Sequence, residues 1–331
     1  MNNNLTLFDV AVVGAGLAGL SCAKELSQLG CRVVVLDKSR GLGGRVATRR
    51  INNLPIDHGL PYLQPQGKLS QQLIQRLNEE NLIQPWHSQI PDTYIAPQGM
   101  TAIAKFMARD LEVWRQSRVE KIEPIEGQVW HLSLDSQKGL TAKAVVMAIP
   151  APQALTLLEP LTPKGLNADL IAKLHQVKFD PCLSVMAGYK ATIVLPKQLS
   201  KQPFISIEED SYLAWLGLDS SKRTQSQAAV LVIRSTAEFA QKHLETTNLE
   251  PAAQQLISRA GELFTPELKE PQWYQIHRWR FSIPHNFINE LYLATHQPLP
   301  LICCGDWCGG NSIESALASG LVAATQISNL N

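Results

Sequence analysis

An α/β fold built around a dinucleotide-binding β–α–β unit is predicted by three features of the first 45 residues. They are an apolar run, Val10 to Val13; a Gly14-x-Gly16-x-x-Gly19 turn directly after it; and a second apolar run, Val33 to Leu36, that ends on Asp37. In that pattern Gly14 allows the tight turn, Gly16 lets the backbone approach a pyrophosphate, and Gly19 lets the helix lie close on the strand. Leu17 and Ala18 open the helix, whose N-terminus offers free N–H groups and a positive dipole end to phosphates. Leu17, Leu20, Leu26 and Leu29 recur at helical spacing, and Gly30 stops the helix. The second strand, read as residues 32–36, is apolar almost throughout, as a parallel strand covered on both faces requires. Asp37 lies near the offset of about 20 residues at which an acid takes the ribose hydroxyls of an adenosine half.

Arg40-Gly-Leu-Gly-Gly-Arg45 follows the acid after two residues. Gly43 and Gly44 let the backbone come near a second ligand segment, and Arg45 can pair with a phosphate. The stretch resembles the turn that runs along an extended FAD in flavin enzymes of the glutathione-reductase and amine-oxidase superfamily. NAD dehydrogenases have no counterpart, so FAD is the expected dinucleotide.

The 331 residues suggest roughly two domains. A formal net charge of +1 gives no reason to expect nucleic acid or an anionic membrane as partner. No apolar run reaches the ~18 residues needed to span a bilayer. The first ten residues, MNNNLTLFDV, lack the basic start and apolar core of a signal peptide, so a cytoplasmic protein is expected. Six cysteines in a chain of this size do not make a disulfide framework. Cys22 and Cys31 read as small core residues.

After the second turn, Asp57-His58-Gly59 and Tyr62 stand out. An Asp-x-Gly pair followed by an aromatic resembles the segment that passes near the flavin in amine-oxidase-like proteins. Taken alone, Tyr62 reads equally as a core tyrosine, and His58 more readily as a surface or capping histidine. An amphipathic helix is predicted over 69–82, and a helix over 102–109 with Thr101 as its N-cap. Short strands are expected at 112–114, 119–124, 128–133 and 140–148. Val119 is where the superfamily makes backbone hydrogen bonds to adenine. Ala148 and Pro150 close a strand that resembles the superfamily's second motif. The clustered Pro150, Pro152, Pro160 and Pro163 mark a domain crossing.

Candidate antiparallel strands fall at 183–189, 204–207, 213–218 and 229–234, and a helix at 256–264. Trp273 to Phe281, WYQIHRWRF, alternates aromatic and polar residues like a sheet strand. No second G-x-G-x-x-G occurs here, unlike the separate nicotinamide-binding domain of disulfide reductases. The chain then returns to the first unit through a strand, 300–306, that ends in Gly305-Asp306, and a helix, 313–327. Asn311 with Glu314 forms a capping-box pattern for that helix. Small residues Ala316, Ala318, Gly320, Ala323 and Ala324 give it a thin profile. In the superfamily this motif places the acid on the ribityl or pyrophosphate part, and the helix start at Ile313 points at the flavin's pyrimidine edge, where it stabilises negative charge. Cys303, Cys304 and Cys308 have neither thioredoxin spacing nor a paired set of zinc ligands, so no metal is assigned.

These motifs together resemble the renalase family, in its bacterial branch. The specific stretches are Asp37-Lys-Ser-Arg-Gly-Leu-Gly-Gly-Arg45, Ala148-Ile-Pro-Ala-Pro-Gln153, His277-Arg-Trp279 and Cys304-Gly-Asp-Trp-Cys308. The resemblance implies a glutathione-reductase-type FAD-binding domain and a smaller α+β substrate domain with an antiparallel sheet, in p-hydroxybenzoate hydroxylase topology. The division expected is 1–84, 97–165 and 298–331 for FAD, and 85–96 and 166–297 for substrate. It implies non-covalent FAD that oxidises 2- or 6-dihydro-NAD(P) isomers, with oxygen reduced to hydrogen peroxide. The cofactor-binding set is Gly14, Gly16, Leu17, Ala18, Asp37, Lys38, Gly43, Gly44, Arg45, Asp57, His58, Gly59, Val119, Ala148, Pro150, Gly305, Asp306 and Ile313. Tyr62 and Trp279 match aromatic positions of the family's substrate cavity, and Trp307 is expected to help shape the stacking site. Arg234 stands where bacterial relatives carry a histidine facing the flavin, and Leu60-Pro61 replace Ala-Gln. Both departures lie on the substrate side, and Arg234 could pair with a phosphate or carboxylate. Oxidation of an amine or another small molecule is the competing expectation, and a flavin-holding redox sensor without turnover a third.

Overall fold

The computed structural model describes residues 6–86, 90–136, 138–223 and 228–328. Its larger sheet has eight strands. Leu7–Val13 lies at the centre, with Val10 to Val13 in parallel register with Val33 to Leu36 on one side and with Ala144 to Met147 on the other. Glu112–Arg115 extends it beyond Val33–Asp37, and Leu301–Cys303 extends it beyond Gly139–Met147, both parallel. Leu293–Thr295, Val129–Leu134 and Val119–Ile125 add antiparallel pairs. The central strand is apolar on both faces because each face has a core. Phe8, Ala11 and Val13 pack with Trp130 and Leu132. Val10 and Val12 pack with the helices Leu17–Gln28 and Ile313–Ser328.

Those two helices meet at their small residues. A Cβ on Gly320 would stand 2.2 Å from the Ala18 carbonyl oxygen, so glycine sets how close they lie. Ser21 Oγ adds a hydrogen bond to Leu317 O at 3.2 Å. Leu29, counted on the apolar stripe from spacing, falls past the helix end and is 53% exposed.

The second sheet is antiparallel, in the order Phe204–Ser206, Leu213–Leu218, Ala228–Ser235, Lys178–Lys190, Trp273–Asn286. Alternation divides its faces. Leu183, Val185, Ala187, Leu231 and Ile233 pack on the helix Glu250–Leu263. Met186, Val230 and Val232 point the other way, onto Ile51 and Ile56 of the hairpin Thr48–Ile51/Leu54–Asp57. The fold is thus α/β, with a Rossmann-like FAD-binding unit and an additional sheet unit.

Several local expectations need correction. The helix Thr101–Met107 has Met100, not Thr101, at its N-cap. The Thr101 hydroxyl instead accepts the Thr48 amide at 2.7 Å, while the Thr101 amide donates to Thr48 Oγ1 at 3.0 Å. The proline cluster lies in the helix Ala151–Leu158 and the 3-10 turn Glu159–Lys164, with Pro152 and Pro160 each in a first turn, where a missing N–H costs nothing. At the last helix the reciprocal cap is Ser312 with Ser315, at 2.7 and 3.1 Å, rather than Asn311 with Glu314. Glu314 caps a different helix, Lys68–Glu79: its carboxylate accepts the Leu69 and Ser70 amides at 3.0 and 2.7 Å.

Candidate active site

A cavity of about 2200 Å³ runs from the glycine turns to the inner face of the second sheet. Ordinary small-molecule pockets hold about 300–1,000 Å³, so there is room here for a dinucleotide and a second molecule. Of the predicted cofactor residues, Gly14, Gly16, Leu17, Ala18, Asp37, Lys38, Gly43, Gly44, Arg45, His58, Gly59, Val119, Ala148, Pro150, Gly305, Asp306 and Ile313 line it. Residues from six separate segments therefore converge.

The glycine turns fit a close-lying ligand. Gly14 has φ +110, and a Cβ there would meet Ala148 O at 2.5 Å. Gly16 differs: its φ is −77 and a Cβ would have no atom within 4 Å. It faces open cavity at the start of the Leu17–Gln28 helix, where the first-turn N–H groups have no partner within the helix. A Cβ on Gly44 would approach Gly16 Cα at 3.7 Å, so the two glycine turns face each other. This backbone cradle has the room and the free N–H groups that a dinucleotide pyrophosphate would need.

The charged residues are placed less simply. Asp37 accepts the amides of Ala15 at 2.8 Å and Ser39 at 2.7 Å, so it holds both turns in shape. Arg45 and Asp306, each expected to face cofactor alone, form a bidentate pair with both contacts at 2.6 Å. Asp57 does not line the cavity. It is 1% exposed and lies one layer behind, held by Lys222 at 2.9 Å, Thr48 Oγ1 at 2.6 Å and the Met100 amide at 2.9 Å. Burial alone would raise its carboxyl pKa, but Lys222 and Arg223 outweigh that and hold it below the usual range.

On the substrate side Tyr62, Trp279 and Arg234 all line the cavity. Tyr62 stacks on Phe204 at 5.1 Å, in a cluster completed by Trp86 and Trp215. Trp279 stacks on His58 at 5.1 Å and donates its indole N–H to His58 O at 2.9 Å. Arg234 lies over Trp215 at 4.7 Å and donates to Gly59 O. Trp307 also lines the cavity; it is fully buried, and its indole N–H donates to Ile149 O at 3.2 Å. Cys303, Cys304 and Cys308 are free and buried. Burial pushes the Cys304 thiol up to about 12. Among the described residues no cluster could hold a metal ion.

Sequence reading missed His277, Ser184, Trp215 and Arg49, all cavity-lining. His277 was accessible, since it sits two residues from Trp279 in an alternating strand and so shares its face. Its ring lies 4.7 Å from that of His58, and Arg49 Nη2 is 3.2 Å from His277 Nδ1. Burial, then His277 and Arg49, bring His58 down to about 3; burial and Arg49 bring His277 to about 4. Both rings are therefore neutral at neutral pH. In the unfolded chain each titrates near 6.5. Below that pH the unfolded state binds more protons, so acidification destabilises the fold. The expected loss is up to about 1.4 kcal/mol per pH unit per histidine, ending near pH 4 for His277 and pH 3 for His58. Urea denaturation at pH 7 and pH 5 checks this, with His277→Gln expected to show the shallower pH dependence. Equal dependence in both proteins would contradict it.

The comparisons with known proteins agree with this geometry. Residues 12–77 match the model of an NAD(P)-binding Rossmann-like domain, and residues 88–328 match that of flavin containing amine oxidoreductases. Amine oxidase [flavin-containing] A of Sus scrofa is 40% identical over 80 residues, 24% of this chain and 14% of that protein. (S)-6-hydroxynicotine oxidase of Paenarthrobacter nicotinovorans is 39% identical over 60 residues, 17% of this chain and 14% of that protein. The matched segment thus spans about a seventh of these relatives. Among solved structures, a triple mutant of putrescine oxidase superposes with a TM-score of 0.73 at 13% identity, covering 98% of this chain and 100% of the other. Cyclohexylamine oxidase of Brevibacterium oxydans gives 0.67 at 14%, covering 98% and 99%. The solved structures share the fold, and the family model marks an FAD-dependent oxidoreductase. The chain belongs to the flavin containing amine oxidoreductase family. No helix among the described residues is long and apolar enough to cross a membrane.

Proposed function

We propose that this enzyme oxidises 2- or 6-dihydro isomers of NAD(P) to NAD(P), with oxygen reduced to hydrogen peroxide. FAD, held non-covalently, supplies the hydride acceptor at its N5 and the route of electrons to oxygen. The chain's own residues do the rest. Gly14, Gly16, Leu17, Ala18, Gly43 and Gly44 hold the pyrophosphate region by backbone. Asp37, Lys38 and Val119 face the adenosine end, and Gly305, Asp306 and Ile313 the ribityl end and flavin edge. Tyr62 and Trp279 orient a flat substrate ring, for which hydride transfer needs alignment and exclusion of water more than proton transfer. His58 and His277 stay neutral and add no charge. The proposed division of the chain is that read from sequence, in p-hydroxybenzoate hydroxylase topology.

The observation that carries this reading is the charge of the substrate wall. Arg49 and Arg234 line it beside the aromatic rings, and their hydrogen-bond partners among the described residues are Gln275, His277 and Gly59 O, none of them charged acids. A cationic wall suits a phosphate-bearing donor and repels an ammonium. Amine oxidation remains the second reading because Tyr62, Trp86, Phe204 and Trp215 form an aromatic cluster of the kind that receives cations. Anaerobic mixing separates the two. The 2- and 6-dihydro isomers are expected to bleach the flavin within seconds, while 4-dihydro-NAD(P) and amines leave it oxidised. Bleaching by amines alone would reverse the assignment.

A further inference from the structure

The register of the second sheet builds a row across four strands. Trp215 is opposite Arg234, Arg234 opposite Ser184, and Ser184 opposite His277. Directly opposed residues share a face, and all four line the cavity. His58, from the first unit, closes the row by meeting His277 edge to face. Among the described residues, three polar atoms in this corner are buried without a hydrogen-bond partner of ordinary geometry: Arg234 Nε, Ser184 Oγ, which has only the Cys182 thiol beside it, and His58 Nδ1. Ser184 is 0% exposed and His58 4%.

Buried polar atoms left unpaired are costly, and a permanent positive charge with no acid in direct contact more so, even with Asp57 and Asp219 in the layer behind. The known partners of Arg234 here are the Trp215 ring and a backbone carbonyl. Neither neutralises it. What the corner lacks is a planar, negatively charged acceptor. A carboxylate accepts at both oxygens and donates nothing, and it matches the fork of a guanidinium. A carboxamide offers one acceptor and brings two N–H donors toward Arg234, which can only donate. The rings of Trp279 and His58, stacked on each other, line the cavity beside the corner, so the acceptor would be a substituent of a ring bound next to them.

We propose that Arg234, Ser184 and His58 form a carboxylate subsite, and that the preferred donor is a dihydropyridine nucleotide carrying a ring carboxylate in place of the carboxamide. This rests on the dihydropyridine reading above and names the substrate class within it.

Binding tests the subsite apart from turnover. The FAD-loaded protein is titrated with oxidised nicotinate mononucleotide and nicotinamide mononucleotide, following the flavin absorbance. The carboxylate is expected to bind about 10- to 100-fold more tightly, the range for a hydrogen bond to a charged group. Arg234→Gln keeps a donor for Gly59 O and removes the charge, so the preference should fall to within about twofold, while Arg234→Lys keeps most of it. Ser184→Ala gives up only a weak contact with the Cys182 thiol and should weaken carboxylate binding about 3- to 10-fold. Equal or tighter binding of the carboxamide, or a preference that survives Arg234→Gln, overturns the subsite. Anaerobic reduction by the two 6-dihydro forms then judges the underlying reaction. Bleaching at equal efficiency by both overturns the carboxylate preference and keeps the reaction. Bleaching by neither overturns the reaction, and the titration still decides the subsite.

Discussion

A Gly16→Val protein is expected to fold normally and to purify without flavin. The expectation rests on the contrast between two glycines of one turn. Gly14 needs its φ of +110, and a Cβ there meets a backbone oxygen, so substitution strains the fold itself. Gly16 has φ −77 and ψ 177, which any residue adopts, and open space where a side chain would go. That space is the cavity at the helix start. Three added carbons would stand between the ligand and the N–H groups of Leu17 and Ala18. Losing two charge-assisted hydrogen bonds corresponds to a fall in FAD affinity of about 100-fold or more. The thermal unfolding of the apoprotein should shift little, because nothing in the fold is displaced. Absorbance in the flavin band and FAD titration of the apoprotein provide the measurement. A yellow variant with stoichiometric FAD would show that the cradle holds something else.

The part of the structure that could be read in advance is the part whose reasons are local. The strands Leu7–Val13 and Val33–Asp37 declare themselves because a parallel strand covered on both faces must be apolar at every position. Gly14, Gly19 and Gly43 declare themselves because positive φ or close approach of backbone admits no other residue there. The substrate wall is different. Ser184, Arg234 and His277 come from strands roughly 40 to 50 residues apart, and only register brings them into one row. Arg234 was found as an oddity of type, but its neighbours Trp215 and Gly59 were beyond reach of spacing. The cavity-facing residues also alternate with core residues, so each strand shows period 2 without saying which face is the site.

Capping failed for a similar reason. Glu314 sits at the correct offset to cap its own helix, yet it bonds amides some 245 residues earlier. A sequence pattern cannot distinguish a carboxylate that turns back from one that reaches across. Asp57 shows the limit most clearly. Its place in an Asp-His-Gly segment suggested contact with the cofactor, whereas the residues that claim it, Lys222 and Arg223, lie far along the chain. It serves the site indirectly, by fixing the segment whose next residues, His58 and Gly59, line the cavity.

That arrangement makes the fold sensitive to the charge of Lys222. Lys222→Met is expected to destabilise the protein by about 3–5 kcal/mol, the cost of breaking a buried ion pair from one side. Lys222 is 2% exposed, and its amine lies 2.9 Å from Asp57 and 2.8 Å from Asp219. Methionine keeps the volume and removes the charge, leaving two buried carboxylates with Arg223, which reaches Asp219 at 2.5 Å and Asp57 at 3.3 Å. One cation then serves two anions in a medium where repulsion is poorly screened. Adding Asp219→Asn removes one anion and should recover part of the loss, a coupling of about 0.5–3 kcal/mol for residues in one network. Acid acts on the same network with a definite sign. The Asp57 carboxyl is held below its ordinary value, so its contribution is complete above about pH 4 and is lost as pH falls through the folded value. In Lys222→Met that acid dependence should weaken, because the lysine is one of the two charges that hold the carboxyl down. Urea denaturation of the single and double variants measures all three effects. A single variant within about 1 kcal/mol of the parent would mean that Arg223 and the Thr48 and Met100 bonds suffice alone.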